Sequence, residues 1–135
     1  MAPDFSQNLT EDEYYTKEGC HVRELSNTEQ EPDLSIARVR VAPGSVTRWH
    51  RLTGITERYV LLEGEGRMEI GERPPQQVGP GDVVRIPPGM RQRIANTGET
   101  DLVFLALCSP RFRWVAYEDV DEAEPHREKT PETRS

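Results

Sequence analysis

The chain has 135 residues, 34% of them hydrophobic and 30% charged, with a formal net charge of −7. That length suits one domain with a real core, and no apolar run approaches membrane-spanning length. The acids crowd the ends, nine against two bases in residues 1–33 and seven against three in 118–135, while residues 34–117 hold twelve arginines, no lysine and eight acids. Acidic ends and the lack of any binding motif argue against nucleic acid.

Residues 1–18 are polar and weakly patterned, and read as a flexible arm anchored by Tyr14 and Tyr15. No apolar N-terminal stretch resembles a signal peptide, so a cytoplasmic protein is expected and the sequon at Asn8 carries no meaning. Cys20 and Cys108 are too few for a disulfide framework, and Cys108 reads as a small buried hydrophobe. From residue 34 onward, strand-like segments end at Gly or Pro: 34–41, 46–51, 56–63, 67–70, 76–78, 82–86, 91–96 and 101–108. No segment carries a 3.6-residue stripe, and helix breakers recur too often for long helices. This predicts an all-β sandwich or barrel. The expected organisation is an N-terminal arm and leading strand over 1–33, a barrel over 34–117, and an acidic, disordered tail over 118–135 in which His126 has no role.

The two-residue period assigns faces. Val46, Arg48, His50 and Leu52 share one; Glu57, Tyr59 and Leu61 share another; Gln92, Ile94 and Asn96 share a third. Trp49 and Arg51 oppose His50, Arg91 and Arg93 oppose Gln92, and Arg85 reads as exterior. Arg38 and Arg40 share a face with Ile36 and are left unoriented. Arginine's planar fork suits carboxylates and phosphates, which hints at an anionic ligand; the plainer reading is a solvated arginine-rich face. Residues 102–107 are apolar on both faces, so both faces are covered. One faces the barrel interior and the other a second subunit or the N-terminal arm, and a homodimer is expected.

The spacing of these residues resembles the cupin family, whose two motifs read Gly, five residues, His-x-His, three or four residues, Glu, six residues, Gly, and then Gly, five residues, Pro-x-Gly, two residues, His, three residues, Asn. Gly44, His50, Glu57 and Gly64 fit the first at every spacing, with Leu52 where the second His belongs. Gly81, Pro87, Gly89 and Asn96 fit the second, with Gln92 in place of its His. The resemblance covers residues 34–110. It implies a double-stranded β-helix (jelly-roll) barrel open at one end, and often a homodimer.

The resemblance also implies a divalent transition metal (Fe, Mn, Ni, Zn or Cu) held by His50, Glu57 and Gln92, with Leu52 offering no donor. Gln ligates through its amide oxygen, more weakly than imidazole, and Tyr59 is a further donor candidate. A metal-free alternative is that His50, Glu57 and Gln92 satisfy one another as a buried polar cluster. In a catalytic site Glu57 is the general base, with a pKa raised by burial, and His50 is the acid or the metal ligand. Arg48, Leu52 and Tyr59 are the substrate-facing candidates, Arg48 for a carboxylate. Two functions are therefore expected: a metal-dependent isomerase, lyase or dioxygenase acting on a small anionic metabolite, or a non-catalytic cupin binding a small molecule.

Overall fold

The computed structural model describes Phe5 and residues 12–122. The sequon at Asn8, His126 and the acidic tail from residue 123 lie outside the described residues. The strands are β1 (Tyr14–Tyr15), β2 (His21–Ser26), β3 (Ser35–Val41), β4 (His50–Leu52), β5 (Thr56–Glu63), β6 (Gly66–Ile70), β7 (Gln76–Val78), β8 (Val83–Ile86), β9 (Gln92–Asn96), β10 (Leu102–Ser109) and β11 (Tyr117–Asp119), with one 3₁₀ turn at Trp114–Ala116. Among the described residues there is no α-helix. The strands form two sheets, in the orders β1-β2-β3-β10-β5-β8 and β11-β4-β9-β6-β7.

Alternation explains the packing. Along β5, Glu57, Tyr59 and Leu61 are buried while Arg58 and Leu62 are exposed. Strand β10 lies centrally in its sheet, paired antiparallel with both β3 and β5. The interior is filled by Leu61, Met68, Ile86, Ile94, Leu102 and Phe104, all at most 3% exposed. A smaller apolar cluster of Leu52, Ile55 and Cys108, with Phe112, Ala116 and Tyr117 against it, packs where the C-terminal segment crosses the barrel. Asn96, the last residue of the second motif, staples neighbouring backbone: its Nδ2 donates to the carbonyls of Val41 and Thr100, and its Oδ1 accepts from Gly98 N–H. Gly64 closes the first motif at φ 87°, where a Cβ would stand 2.5 Å from the Asp101 carbonyl oxygen.

Besides β1, which pairs with β2 inside the segment expected as a flexible arm, the structure departs from the expected strands in two places. The segment expected over 46–51 is strand only from His50, preceded by a single bridge between Val46 and Ala95. Its backbone donors go elsewhere: Thr47 N–H to Ile94, Arg48 N–H to the Glu18 carbonyl and Trp49 N–H to the Asp121 carboxylate. The second departure is β11, which pairs with β4 two residues beyond the boundary at residue 117 set from composition. Both ends of the described chain thus reach the barrel near His50.

Candidate functional site

Register brings the motif residues together. His50 on β4 is the ladder partner of Gln92 on β9, and Glu57 and Tyr59 point inward from β5 on the other sheet. The four are 1%, 1%, 8% and 4% exposed respectively. Three of them form a directed chain. Tyr59 O–H donates to Gln92 Oε1 at 2.8 Å, and Gln92 Nε2 donates to Glu57 Oε1 at 2.8 Å. The buried phenol has one proton to place, and placing it on Gln92 turns the amide so that its NH₂ faces Glu57. The second Glu57 oxygen lies 3.7 Å from Cys108 Sγ, a weak donor.

Burial pushes the Glu57 carboxyl up from its ordinary 4.5 to about 7; the nearby His50 opposes the rise, Glu18 adds to it, and the Gln92 hydrogen bond opposes it. Burial also pushes the Cys20 and Cys108 thiols up, so neither is a thiolate nucleophile at neutral pH. His50 Nδ1 lies 2.7 Å from the Arg48 carbonyl oxygen. That acceptor keeps a proton on Nδ1. The imidazole stacks on Tyr117 at 5.2 Å and 20°.

One member of this group has no counterpart among the residues expected from sequence. Glu18, from the N-terminal segment, places Oε2 3.7 Å from His50 Nε2 and accepts from Cys20 Sγ at 3.5 Å through Oε1. A turn delivers it: Gly19 N–H bonds the Thr16 carbonyl, Glu18 N–H bonds Thr16 Oγ1, and the Glu18 carbonyl holds Arg48 N–H. The stretch 12–20 lacks a two-residue period. Only Tyr14 and Tyr15, read as anchors, hinted at order there.

The arginines lie elsewhere. Arg48 is on the buried face, but its fork already grips a carboxylate of this chain, Asp119, at 2.9 and 3.3 Å. Arg40 pairs with Glu13 and Asp101, and Arg38 with Glu13, on the outside of their sheet. Arg91 and Arg93 lie over the Trp49 ring, and Arg93 also pairs with Glu69. Leu52 is buried against Ile55 and Cys108. Beside Glu57 lies a cavity of about 40 Å³, walled by Glu18, Glu57, Cys108, Tyr14, Phe112 and Trp114 among others, with no Arg or Lys in its wall. That is room for roughly one to three waters. A broader groove of about 670 Å³, between the edges β7 and β8, is lined by Met68, Arg73, Val84 and Arg85 and does not include these residues.

The residues present do not fit the metal set that the motifs imply. Leu52 has no donor atom, and the Gln92 oxygen is taken by the Tyr59 proton while its NH₂ faces Glu57. Of the motif ligands, only His50 Nε2 and one Glu57 oxygen remain open to a metal. Among the described residues no three His, Cys, Asp or Glu side chains gather as a metal-holding group.

A small jelly-roll barrel with an acid, an imidazole and an amide facing one another across its interior defines the class. The cupin domain family matches residues 37–108, and the chain belongs to that family. It is 33% identical over 110 residues to an uncharacterized protein of Methanocaldococcus jannaschii, covering 80% of this chain and 85% of that one. It is 33% identical over 95 residues to a glucose-6-phosphate isomerase of Pyrococcus abyssi, covering 62% of this chain and half of the isomerase. Among solved structures, Pac13 of Streptomyces with uridine superposes at a TM-score of 0.73, with 16% identity, over 90% of this chain and 93% of Pac13.

Proposed function

We propose that this cupin is an enzyme that moves protons on a small molecule without a resident metal, by isomerase- or lyase-type chemistry. Glu57 is the general acid/base, and His50, with Nε2 beside the Glu18 carboxylate, is its neighbouring polar group. The observation that carries the reading is the Tyr59–Gln92–Glu57 chain. It holds one carboxylate oxygen by a hydrogen bond, turns the other toward the cavity side of the site, and accompanies a carboxyl brought to about 7, where acid and base forms are both populated. In the forward step Glu57 takes a proton from the substrate, and the electron pair of that bond moves into the adjacent carbon framework. The resulting carboxylic acid then returns the proton to a different atom, or to a departing hydroxyl that leaves as water. The names of relatives agree with proton relocation: glucose-6-phosphate isomerase, and the nucleoside dehydratase Pac13.

The test is a panel of small oxo- and hydroxy-compounds incubated with the protein in D₂O and followed by proton NMR. Turnover or carbon-bound exchange should persist undiminished in excess chelator, on protein with less than about a tenth of an equivalent of transition metal. Activity that appears only with added Mn²⁺, Fe²⁺ or Zn²⁺ would instead restore the metal-dependent reading.

We also propose that the protein works as a homodimer. Leu105, Val60 and Val83 are successive ladder partners across β10, β5 and β8, so they share the outer face. Val83 is 61% exposed, and Leu62 beside Val60 is 42% exposed. A stripe of this kind marks an interaction surface when it is contiguous. Light scattering should give twice the chain mass at micromolar concentration, falling toward the monomer in Val83→Lys; monomer mass at every concentration rules the dimer out.

A further inference from the structure

The cavity beside Glu57 is too small for any carbon compound to react in it. Its volume of about 40 Å³ admits water and nothing larger. Glu57 and Cys108, which line it, are 8% and 2% exposed. A substrate reaches the carboxyl only if part of the wall moves. Most of that wall is fixed: Val22, Ala37, Val39, Glu57, Ala106 and Cys108 are paired in the ladders of β2, β3, β5 and β10.

Trp114 is different. It lines the cavity and is also 38% exposed, so its side chain spans from the cavity to solvent. It opens the 3₁₀ turn Trp114–Ala116, which buries none of its residues and has no side-chain cap at Arg113. The backbone is anchored on both sides of the turn. Phe112 N–H bonds Ser35 Oγ, and the Phe112 carbonyl accepts from Asn27 Nδ2. The Ala116 carbonyl accepts from Thr53 N–H, and Tyr117 pairs with Leu52 in the ladder of β11 with β4. Between these anchors, the carbonyls of Arg113 and Trp114 are taken by Ala116 N–H and Tyr117 N–H, bonds inside the turn itself. A segment fixed at both ends and bonded to itself in between can open locally, at much less than the free energy of unfolding.

Side chains hold the turn down. The exposed Lys17, from the N-terminal segment, lays Nζ 5.1 Å from the Trp114 ring centre and 5.2 Å from that of Tyr117. The Trp114 ring also meets Phe112 edge-on at 4.9 Å and Tyr117 at 5.1 Å. A cation over two rings at an exposed position is a contact of modest strength. It favours the closed turn without locking it.

We infer that residues 113–115 form a lid on this site, that Lys17 latches it through Trp114 and Tyr117, and that lifting the lid admits molecules larger than water to Glu57. The inference rests on the proposed site but not on the reaction assigned to it. It also gives the N-terminal segment a function. Lys17 adjoins Glu18, whose carbonyl holds Arg48 N–H and whose carboxylate lies beside His50, so the latch is mounted on the frame of the site.

The test reads the opening from Cys108, whose Sγ lies 3.7 Å from Glu57 in the same cavity. The full chain is incubated at pH 8 with methyl methanethiosulfonate, and labelling of Cys108 is followed by peptide mass spectrometry across a series of urea concentrations below the unfolding transition. Labelling should proceed in the native protein at a rate that barely changes with urea, as a local opening requires. Lys17→Met should speed it about three- to thirtyfold with an unchanged urea midpoint, and Lys17→Arg, which keeps the cation, should match the wild type. Labelling that rises with urea as steeply as global unfolding overturns the lid. A rate in Lys17→Met within twofold of wild type overturns the latch. If Lys17→Met labels faster but no compound turns over in the NMR panel, the lid stands and the proton-transfer reading fails. If turnover persists while labelling follows global unfolding, the reverse holds.

Discussion

Glu57→Gln is expected to lower turnover by about 10²–10⁴-fold, the usual contribution of a positioned acid/base group, while making the protein more stable above pH 7. The two effects share one origin. Glu57 is 8% exposed, and burial lifts its carboxyl from 4.5 to about 7. Between those values the folded state keeps a proton that the unfolded chain has released. Stability from this group is therefore fully present below pH 4.5, falls as the pH rises, and is lost by about pH 7. The whole change corresponds to about 3 kcal/mol, a large share of the roughly 5–15 kcal/mol that holds a domain together. Glutamine is nearly isosteric and cannot ionise, and its oxygen still accepts from Gln92. Urea unfolding at pH 5 and pH 8 should show the wild type losing stability and the variant holding steady. Equal slopes in the two proteins, or turnover within fivefold of wild type, would remove Glu57 from the proposed role.

Gly64→Ala is expected to cost about 3–5 kcal/mol, from a left-handed backbone and a crowded methyl together, and to leave little folded protein at 37 °C. The new Cβ would lie 2.5 Å from the Asp101 oxygen and 2.9 Å from Leu102 Cα, both backbone atoms. They have nowhere to retreat, because Leu102 is fully buried and opens the ladder of β10 with β3. Gly44, which opens the same motif, makes the control. It sits at φ 80°, and an added methyl there would meet nothing within 4 Å, so Gly44→Ala should cost only about 1–2 kcal/mol of backbone strain. Denaturant midpoints of the two variants separate the effects, and equal losses would mean that the contact at Gly64 relaxes.

The residues that were legible in the sequence are those whose position follows from a short-range rule. Period-two alternation put His50 and Leu52 on one buried face, and Glu57 with Tyr59 on another, and the structure buries all four. Gly and Pro punctuation located β5 and β7 at their observed bounds and the remaining barrel strands within a few residues. Long-range pairing was not legible. Asp119 meets Arg48 from 71 residues away, and Glu18 meets His50 from 32; neither acid stands out from its neighbours in an acidic stretch. Arg48 shows the consequence. Its side chain is buried, but its availability to a ligand depended on a partner that no local pattern announces. The orientation of the Gln92 amide was hidden for the same reason, because it is decided by the hydroxyl of Tyr59 on another strand.

The shared family region, residues 37–108, contains the acid, the imidazole and the amide, but only part of the wall of the cavity beside Glu57. Glu18, Phe112 and Trp114 come from outside it, and so do Tyr117 behind His50 and Asp119 on Arg48. The barrel is therefore a common socket, and the two flanking segments cut the key that fits it. Two cupins could match at every position of the matched region and still admit different guests, since the acid and the aromatic rings beside Glu57 come from outside it.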